Sequence, residues 1–486
     1  MRPVIVWFRR DLRLTDHPAL QAALETGEPI LPVYIHAPGE EAPWSPGGAS
    51  RWWLDRSLTA LAAALEQRGS RLIVRQGASL ETLCELAQAC GATRIYWNRS
   101  YEPAAIARDT AVKTALRDRG FEAESHLGNV LFEPWTVRSG AGTPFRVFTP
   151  FWKHFLTRLH EVPPPIPAPD RLPTPTVWPA SEAVAALNLA PTLPWDTGFR
   201  ALWTPGEMAA LERLEAFLET DAGQYKTQRD RPDLPATSRL APALHFGEVS
   251  PRQVLAAAHS ALAGAPAADS TGIDAFIREI GWREFAAHIL YAFPHTPEQP
   301  LDERFRALPW GTDETLLTAW RHGRTGIPLV DAGMRELWHT GWMHNRVRMV
   351  VASWLTKNLG QHWLHGARWF HDTLVDADLA ANTLGWQWAA GCGADAAPYY
   401  RIFNPILQSE RFDPERRYIR RWVPELSRLP DAWIHQPFNA PATVLAAAGV
   451  VLDRHYPRPI VDLKGSRDRA LAAYDAVKAA TQNARA

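Results

Sequence analysis

The segment DADLAANTLGWQW, which begins at Asp376, holds two carboxylates, an amide and two tryptophans within thirteen positions. Asp378 and Asn382 are four residues apart and would share one face of a helix, with Asp376 in the entering loop or first turn. The ordinary explanation is an aspartate N-cap followed by core residues, Trp386 and Trp388. A polar face among so many aromatic residues indicates instead that something polar is bound in the interior.

A second segment, TSRL, combines the hydroxyls of Thr237 and Ser238 with the guanidinium of Arg239 at a predicted helix start. Free backbone N–H groups, hydroxyls and a guanidinium together suit a pyrophosphate. Taken alone, this tetrapeptide is more often an ordinary Ser/Thr cap.

Two more segments mix charge with aromatic or sulfur side chains. In REIGWREF, Glu279, Trp282 and Arg283 fall within one helical turn, although Glu279 and Arg283 also fit a common surface ion pair. The segment GWMHNRVRM contains Trp342, Asn345, Arg346, Arg348 and Met349. Arginines interleaved with Trp and Met suit an aromatic cavity that binds phosphate. One such segment alone is more often a helix whose arginine side chains extend over apolar surface to reach water.

Composition excludes several classes of protein. The 52 Lys and Arg residues balance 52 Asp and Glu residues, so a polyanion could be attracted only by a local patch. No apolar run approaches the roughly 20 residues that span a bilayer, and the start does not read as a signal peptide. Three cysteines without CxxC spacing indicate a reduced, cytoplasmic protein without structural zinc or another metal site.

The organisation predicted is an α/β parallel-sheet, Rossmann-like domain over residues 1–130, followed by an all-α domain over 205–486. Short apolar runs predict buried strands at 4–8, 30–36, 71–75 and 94–97. Ser57 and Ser79 are the N-caps expected for two intervening helices. Residues 131–204 are predicted to be an interdomain linker, with eight prolines between 161 and 179.

Together these segments resemble the photolyase/cryptochrome flavoproteins, and most specifically the cyclobutane-dimer photolyases of the bacterial branch near the plant cryptochromes. The resemblance rests on TSRL, WREF, WMHNR.RM, D.DLAAN...WQW and DAAPYYRIFNPILQSERFD, together with the start VIVWFRRDLRLTDHPAL. It covers nearly the whole chain. It implies that the helical domain buries FAD in a folded-over conformation.

The resemblance implies cofactor contacts from three groups of residues. Those near the pyrophosphate, ribose and adenine are Tyr225, Thr237, Ser238, Arg239, Leu240 and Phe276. Those near the ribityl chain and flavin are Arg348, Asp376, Asp378 and Asn382, with Arg348 paired to Asp378. Those bordering both cofactor and substrate are Glu279, Arg283 and Asn345. Asn382 would face flavin N5, where plant cryptochromes carry an aspartate.

The implied activity is light-driven repair of a pyrimidine dimer flipped out of DNA. Trp282 and Trp388 would stack on the lesion, Glu279 and Asn345 would hydrogen-bond to the thymine edges, and Met349 would contact the dimer. Glu279 would also stabilise the dimer radical anion. Flanking phosphates would be held by Arg283, Arg346 and Arg401.

Trp386, Trp363 and Trp310 fall at the family's electron-relay positions and are therefore expected to act in catalysis. An antenna chromophore, methenyltetrahydrofolate or alternatively 8-hydroxy-5-deazaflavin, is expected between the domains, with Glu102 as its holding residue. The competing function is a cryptochrome-type photoreceptor. The sequence argues against it, because the last predicted helix leaves no disordered signalling tail. A cytoplasmic monomer, without membrane contact, is expected.

Overall fold

The structure is a computed structural model that describes residues 2–396 and 400–483. Three residues of the segment DAAPYYRIFNP, at positions 397–399, lie outside the described residues.

The N-terminal part of the chain forms a parallel sheet of five strands in the order β3-β2-β1-β4-β5. The strands are β1 (Val4–Phe8), β2 (Ile30–His36), β3 (Ile73–Gln76), β4 (Arg94–Asn98) and β5 (Glu122–His126). Strands β1 and β2 have the predicted bounds. Helices cover both faces of a parallel sheet, so its inner strands are mostly apolar and can be recognised in the sequence. Strand β5 was not predicted. Its sequence EAESH lies at the sheet edge and buries fully only Ala123.

Helices connect these strands in the doubly wound manner that the alternation predicted. They are α1 (Pro18–Glu25), α2 (Gly48–Gln67), α3 (Ser79–Cys90) and α4 (Pro103–Asp118). The expected N-caps were wrong. Helix α2 begins nine residues before Ser57, whose buried hydroxyl bonds to Glu248, and α3 has Ala78 as its N-cap.

The stretch predicted to be a linker is only partly extended. It contains α5 (Phe148–Arg158) and α6 (Thr197–Leu202), whereas no α-helix interrupts its proline-rich residues 161–179. Phe148, Phe151 and Phe155 pack in one hydrophobic cluster with residues of the helical domain. Helix α5 therefore belongs by packing to the second domain, a relationship that the local sequence did not reveal.

From residue 207 onward the described chain is helical. The elements are α7 (Glu207–Thr220), α8 (Tyr225–Gln228), α9 (Ala241–His245), α10 (Pro251–Gly264), α11 (Ala267–Ala292), α12 (Glu314–Arg321), α13 (Pro328–Thr340), α14 (Asn345–Ser353), α15 (Trp363–Thr373), α16 (Leu379–Ala390), α17 (Pro405–Phe412), α18 (Arg417–Trp422), α19 (Ala442–Ala448) and α20 (Leu463–Asn483).

A short break separates two consecutive helices of this domain. Helix α13 ends at Gly341, whose φ of 68° is left-handed, and α14 begins at Asn345. Glycine adopts this backbone conformation without a Cβ clash, so it is the usual terminator of a helix. Among the described helices, none combines the length and the apolar character needed to cross a membrane.

Candidate functional site

Helix α16 lies at the centre of the candidate site. Asp378 is its N-cap, and one carboxylate oxygen accepts the backbone N–H of Ala381 at 2.8 Å. The helix packs against α11, α14 and α15. Asp378, Ala381, Asn382 and Gly385 nevertheless share one accessible face. A central helix with an accessible face requires a cavity beside it.

Two further observations define this cavity. The carboxylate of Asp378 lies deep in the domain, yet 29% of its side-chain surface is accessible. A Cβ built on Gly385 would meet no atom within 4 Å. The polar face of α16 therefore borders open space inside the helical domain.

The charge at Asp378 is strongly stabilised. Burial acts to raise the pKa of this carboxyl, but interactions with His245 and Arg283 and the Ala381 N–H bond outweigh it and hold the pKa well below its usual range. The nearest oxygen of Asp378 lies 3.6 Å from Nδ1 of His245. Asp378 is therefore an anion at neutral pH.

Arg348 does not pair with Asp378 as expected. Its guanidinium binds both carboxylate oxygens of Asp376, at 2.9 and 3.0 Å, and its Nε donates to the carbonyl of Met343. The capping role of Asp378 turns its carboxylate toward α16, which leaves Asp376, two residues earlier, facing α14. This ion pair, in which one guanidinium nitrogen bridges both carboxylate oxygens, holds the start of α16 against α14.

Asn382 is held by one of its two amide ends. Its Nδ2 donates to the carbonyl of Ala367 in α15 at 2.9 Å. Its Oδ1 is thus the atom available to a ligand in the cavity. The neighbouring Trp386 is buried over Gly366, where a Cβ would lie 1.9 Å from the indole ring. Only glycine at 366 permits this position of Trp386.

The TSRL segment lies in the loop before α9. The hydroxyls of Thr237 and Ser238 are partly accessible, whereas Leu240 is buried. Arg239 has a left-handed φ of 52°, and its guanidinium lies 4.7 Å from the ring centroid of Trp342. Nearby, the buried rings of Tyr225 and Phe276 meet edge to face with centroids 5.8 Å apart.

Several buried side-chain nitrogens have no hydrogen-bond partner among the described residues. They include the indole N–H of Trp386 and Nε2 of His344. Burial lowers the pKa of His344 to about 3, so the ring is neutral, and its Nδ1 accepts the N–H of Arg346. The proton is therefore on Nε2. Unpaired buried donors cost about 1–3 kcal/mol each, so both fit a bound group that supplies acceptors.

The residues expected at the lesion lie on α11, α14 and α16. Glu279 forms an ion pair with Arg229. Trp282 is stacked face to face on Phe148, with ring centroids 3.6 Å apart and planes 6° apart. Trp388 is partly buried beside Phe403, at 6.4 Å. Trp282 and Trp388 border separate hydrophobic clusters, which both include Leu384 of α16.

The arginines expected at flanking phosphates differ in their engagement. Arg346 pairs with Asp230 at 2.8 Å and contacts the sulfur of Met349 at 3.6 Å. Arg283 donates to the carbonyl of Asn129 at 2.8 Å, which ties α11 to the N-terminal part of the chain. Arg401 is exposed over the ring of Phe403. Asn345, at the start of α14, is also exposed.

The three tryptophans expected to form a relay run from core to surface. Trp386 is 2% exposed, Trp363 is 1% exposed, and Trp310 is partly accessible. The ring of His362 lies between the outer two, 5.3 Å from Trp310 and 5.6 Å from Trp363 by centroid.

Glu102 lies beside a separate interdomain cleft. It forms an ion pair with Arg10, whose other partner is Glu41. The cleft encloses about 40 Å³ and is lined by residues of both domains, including Arg10, Tyr34, Glu41, His245 and His371.

Sequence reasoning missed the partners that hold several site residues. His245, Phe148 and Ala367 contact Asp378, Trp282 and Asn382, and each is distant in the chain from the residue it holds. No periodic pattern connects such pairs. The pairing of Arg229 with Glu279 likewise depends on the approach of α8 to α11.

The fold and cavity define a two-domain protein with an α/β domain and a helical, ligand-binding domain. Residues 4–170 match the family model described as DNA photolyase, and residues 276–476 match that described as the FAD binding domain of DNA photolyase. The chain belongs to the photolyase/cryptochrome family, and its helical domain is an FAD-binding domain, which confirms the resemblance and the predicted fold class.

Individual relatives match over nearly the whole chain. The deoxyribodipyrimidine photo-lyase of Agrobacterium fabrum is 48% identical over 99% of both proteins. Cryptochrome-2 of Arabidopsis thaliana is 41% identical over 96% of this chain and 78% of its own length. The crystal structure of a bacterial class III photolyase from Agrobacterium tumefaciens is similar with a TM-score of 0.94 and 48% identity, covering 98% of each chain.

Proposed function

We propose that this protein repairs cyclobutane pyrimidine dimers in DNA under light. The observation that carries the proposal is the accessible face of α16, where an anionic carboxylate and an amide border a cavity deep in the FAD-binding domain. The full-length similarity to a protein named deoxyribodipyrimidine photo-lyase supports the same assignment.

The residues of the cavity fit FAD. Asp378 and the Oδ1 of Asn382 supply acceptors, while the N–H groups of Trp386 and His344 supply donors. Thr237 and Ser238 offer hydroxyls for a pyrophosphate, and Tyr225 and Phe276 supply apolar surface. Bound, reduced FAD would supply a light-driven one-electron donation to the lesion.

The chain's own contribution on the substrate side is to bind and orient the flipped lesion. Phe148 covers one face of Trp282, so a base would stack on the other face. Asn345 and Met349 lie one helical turn apart on α14 and would contact the same lesion. The ion pair with Arg229 holds the Glu279 carboxylate in place, where its oxygens could accept hydrogen bonds from thymine N–H groups.

Trp386, Trp363 and Trp310 would carry an electron inward from the surface when the cofactor is oxidised. Trp386 and Trp363 are buried and Trp310 is partly accessible, so Trp310 would be the surface end of the path. The ring of His362 contacts both Trp310 and Trp363.

The interdomain cleft beside Glu102 is the proposed antenna site, with methenyltetrahydrofolate preferred over a deazaflavin. A space of about 40 Å³ holds little more than water, so binding there would require side chains such as Arg10 to move. Reconstitution with each chromophore, followed by its near-ultraviolet or blue absorption on the protein, tests the assignment. Retention of neither chromophore after gel filtration would refute it.

Repair is tested with purified, chemically reduced protein and an oligonucleotide that contains a single thymine dimer. We expect the dimer to disappear under blue or near-ultraviolet light and to persist in the dark. Loss of the lesion is measured by chromatography of the digested DNA. No loss under light with the flavin fully reduced would contradict the proposal and favour the alternative of a cryptochrome-type photoreceptor.

Substitution of Asn382 tests the cofactor-facing amide. In Asn382→Asp, only the protonated carboxyl could donate to the carbonyl of Ala367 as the amide does. We therefore expect the introduced group to have a raised pKa and to alter the visible spectrum of the photoreduced protein between pH 6 and 9. Asn382→Gln, which keeps an amide, is the control. A spectrum identical to wild type across that range would place residue 382 away from the flavin.

A further inference from the structure

Another cavity, distinct from the one beside α16 and from the interdomain cleft, opens on the surface where the proposed electron relay ends. It encloses about 340 Å³, within the range of pockets that bind small molecules. Trp310, His362 and Trp363 line one part of it, and Phe305 lies among them. Gln299 and Arg306 supply polar groups. The two outer relay tryptophans thus share a single pocket.

The wall that carries Trp310 is held in place by main-chain bonds. Gly311 N–H donates to the carbonyl of Gly360 at 2.8 Å, and His362 N–H donates to the carbonyl of Gly311 at 3.1 Å. The side chain of Gln361 accepts the N–H of Asp313 at 2.7 Å. These bonds tie the Trp310 segment to the start of α15, so the cavity exists before a ligand binds.

The polar groups of the cavity are mainly donors. The Nδ1 of His362 accepts the N–H of Leu364 at 3.1 Å, and burial lowers the pKa of this ring to about 4, so the neutral ring carries its proton on Nε2. Arg306 is half exposed, donates to Oε1 of Gln299 at 2.7 Å and forms a longer contact of 3.5 Å with the exposed carboxylate of Glu303. The amide N–H groups of Gln299 remain available to a ligand. The lining carboxylate, Glu298, is already paired with Arg368. A guanidinium with two further N–H donors suits an anion rich in oxygen.

We propose that this cavity binds a small enediolate reductant, of which ascorbate is the type, and that the bound reductant restores Trp310 after each inward electron transfer. The inference rests on the proposed relay and adds to it a specific external donor site.

The chemistry balances without another reactant. After an electron has passed inward, Trp310 is a radical cation that releases its indole proton to water. The enediolate monoanion then gives up one electron and one proton. Both return to Trp310, which regains its Nε1–H bond, and the reductant leaves as its radical anion. Placing the donor against the Trp310 ring makes this step effectively unimolecular.

The test compares Arg306→Gln with Arg304→Gln as a matched control. Arg304 is equally exposed, at 51% against 52%, and also pairs with a carboxylate, that of Asp302, but it does not line the cavity. Under constant blue light, we expect the rate of flavin reduction to saturate with ascorbate concentration. Arg306→Gln should raise the half-saturating concentration at least 5-fold, and Arg304→Gln should leave it within 2-fold. With dithiothreitol, which is uncharged at pH 7, the two variants should behave alike.

Binding is also measured in the dark, by saturation-transfer NMR of ascorbate with each protein, and the signal should weaken in Arg306→Gln alone. A rate that stays linear in ascorbate, or equal responses of the two variants, would overturn the proposal. Flash absorption distinguishes failure of the donor-site proposal from failure of the relay proposal. If no tryptophan radical forms after the flash, both proposals are wrong. Repair by pre-reduced wild-type protein, which needs no external donor, would still report on the proposed function alone.

Discussion

Asp378→Ala protein is expected to lose its flavin during purification. The carboxylate is an anion that lies beside the cavity of the FAD-binding domain, and hydrogen bonds to a charged group are worth about 1.5–3 kcal/mol. Its removal should weaken FAD binding roughly 10- to 100-fold. The flavin retained after gel filtration, read from the ratio of absorbance at about 450 nm to that at 280 nm, measures the loss.

The capping role of Asp378 must be separated from its role toward FAD. Asp313 caps α12 in the same way, accepting the N–H groups of Thr315 at 2.8 Å and Leu316 at 3.2 Å, but lies at the surface. Loss of either cap should cost about 1 kcal/mol of stability. Asp313→Ala should therefore lower stability equally while retaining flavin. Asp378→Asn keeps a capping oxygen but loses the charge and its interactions with His245 and Arg283, so it should bind FAD as weakly as Asp378→Ala does. Equal flavin content in all three variants would remove Asp378 from the cofactor site.

Trp282→Ala is expected to abolish most of the preference for damaged DNA. Stacking of a base on an aromatic side chain is worth about 1–3 kcal/mol, so the Kd for dimer-containing DNA should rise roughly 5- to 150-fold. Affinity for undamaged DNA should change little, because it depends mainly on phosphate contacts. Fluorescence anisotropy with matched damaged and undamaged oligonucleotides measures both values.

The aromatic rings stacked behind Trp282 allow a second substitution with a smaller expected effect. Phe148 lies between Trp282 and Trp152, with centroid distances of 3.6 and 6.1 Å and nearly parallel planes. Phe148→Ala should free the Trp282 ring to tilt and should weaken damaged-DNA binding by less than Trp282→Ala does. Trp338, which is 62% exposed and stacked on Trp369, provides the control substitution Trp338→Ala. If Trp282→Ala and Trp338→Ala bind damaged DNA equally well, Trp282 does not stack on the lesion.

The sequence alone determined the features that depend on near neighbours in the chain. Strands β1 and β2 could be predicted because both are apolar along their whole length. The segment that begins at Asp376 predicted a helix with Asp378 and Asn382 on one face and allowed an aspartate N-cap, and Asp378 is the N-cap of α16. The segments that revealed the family are likewise local, since each is a short run of residues read in order.

Only the tertiary structure decided which side chains meet. Arg348 binds Asp376 rather than Asp378, because the cap turns one carboxylate into the helix and leaves the other facing α14. Phe148 was assigned to a linker, yet it supports Trp282 from 134 positions away in the chain. Contacts of this kind depend on how helices pack, and packing is set by the combined shape of many side chains. A periodic pattern describes the face that one helix buries and carries no information about the partner that covers it.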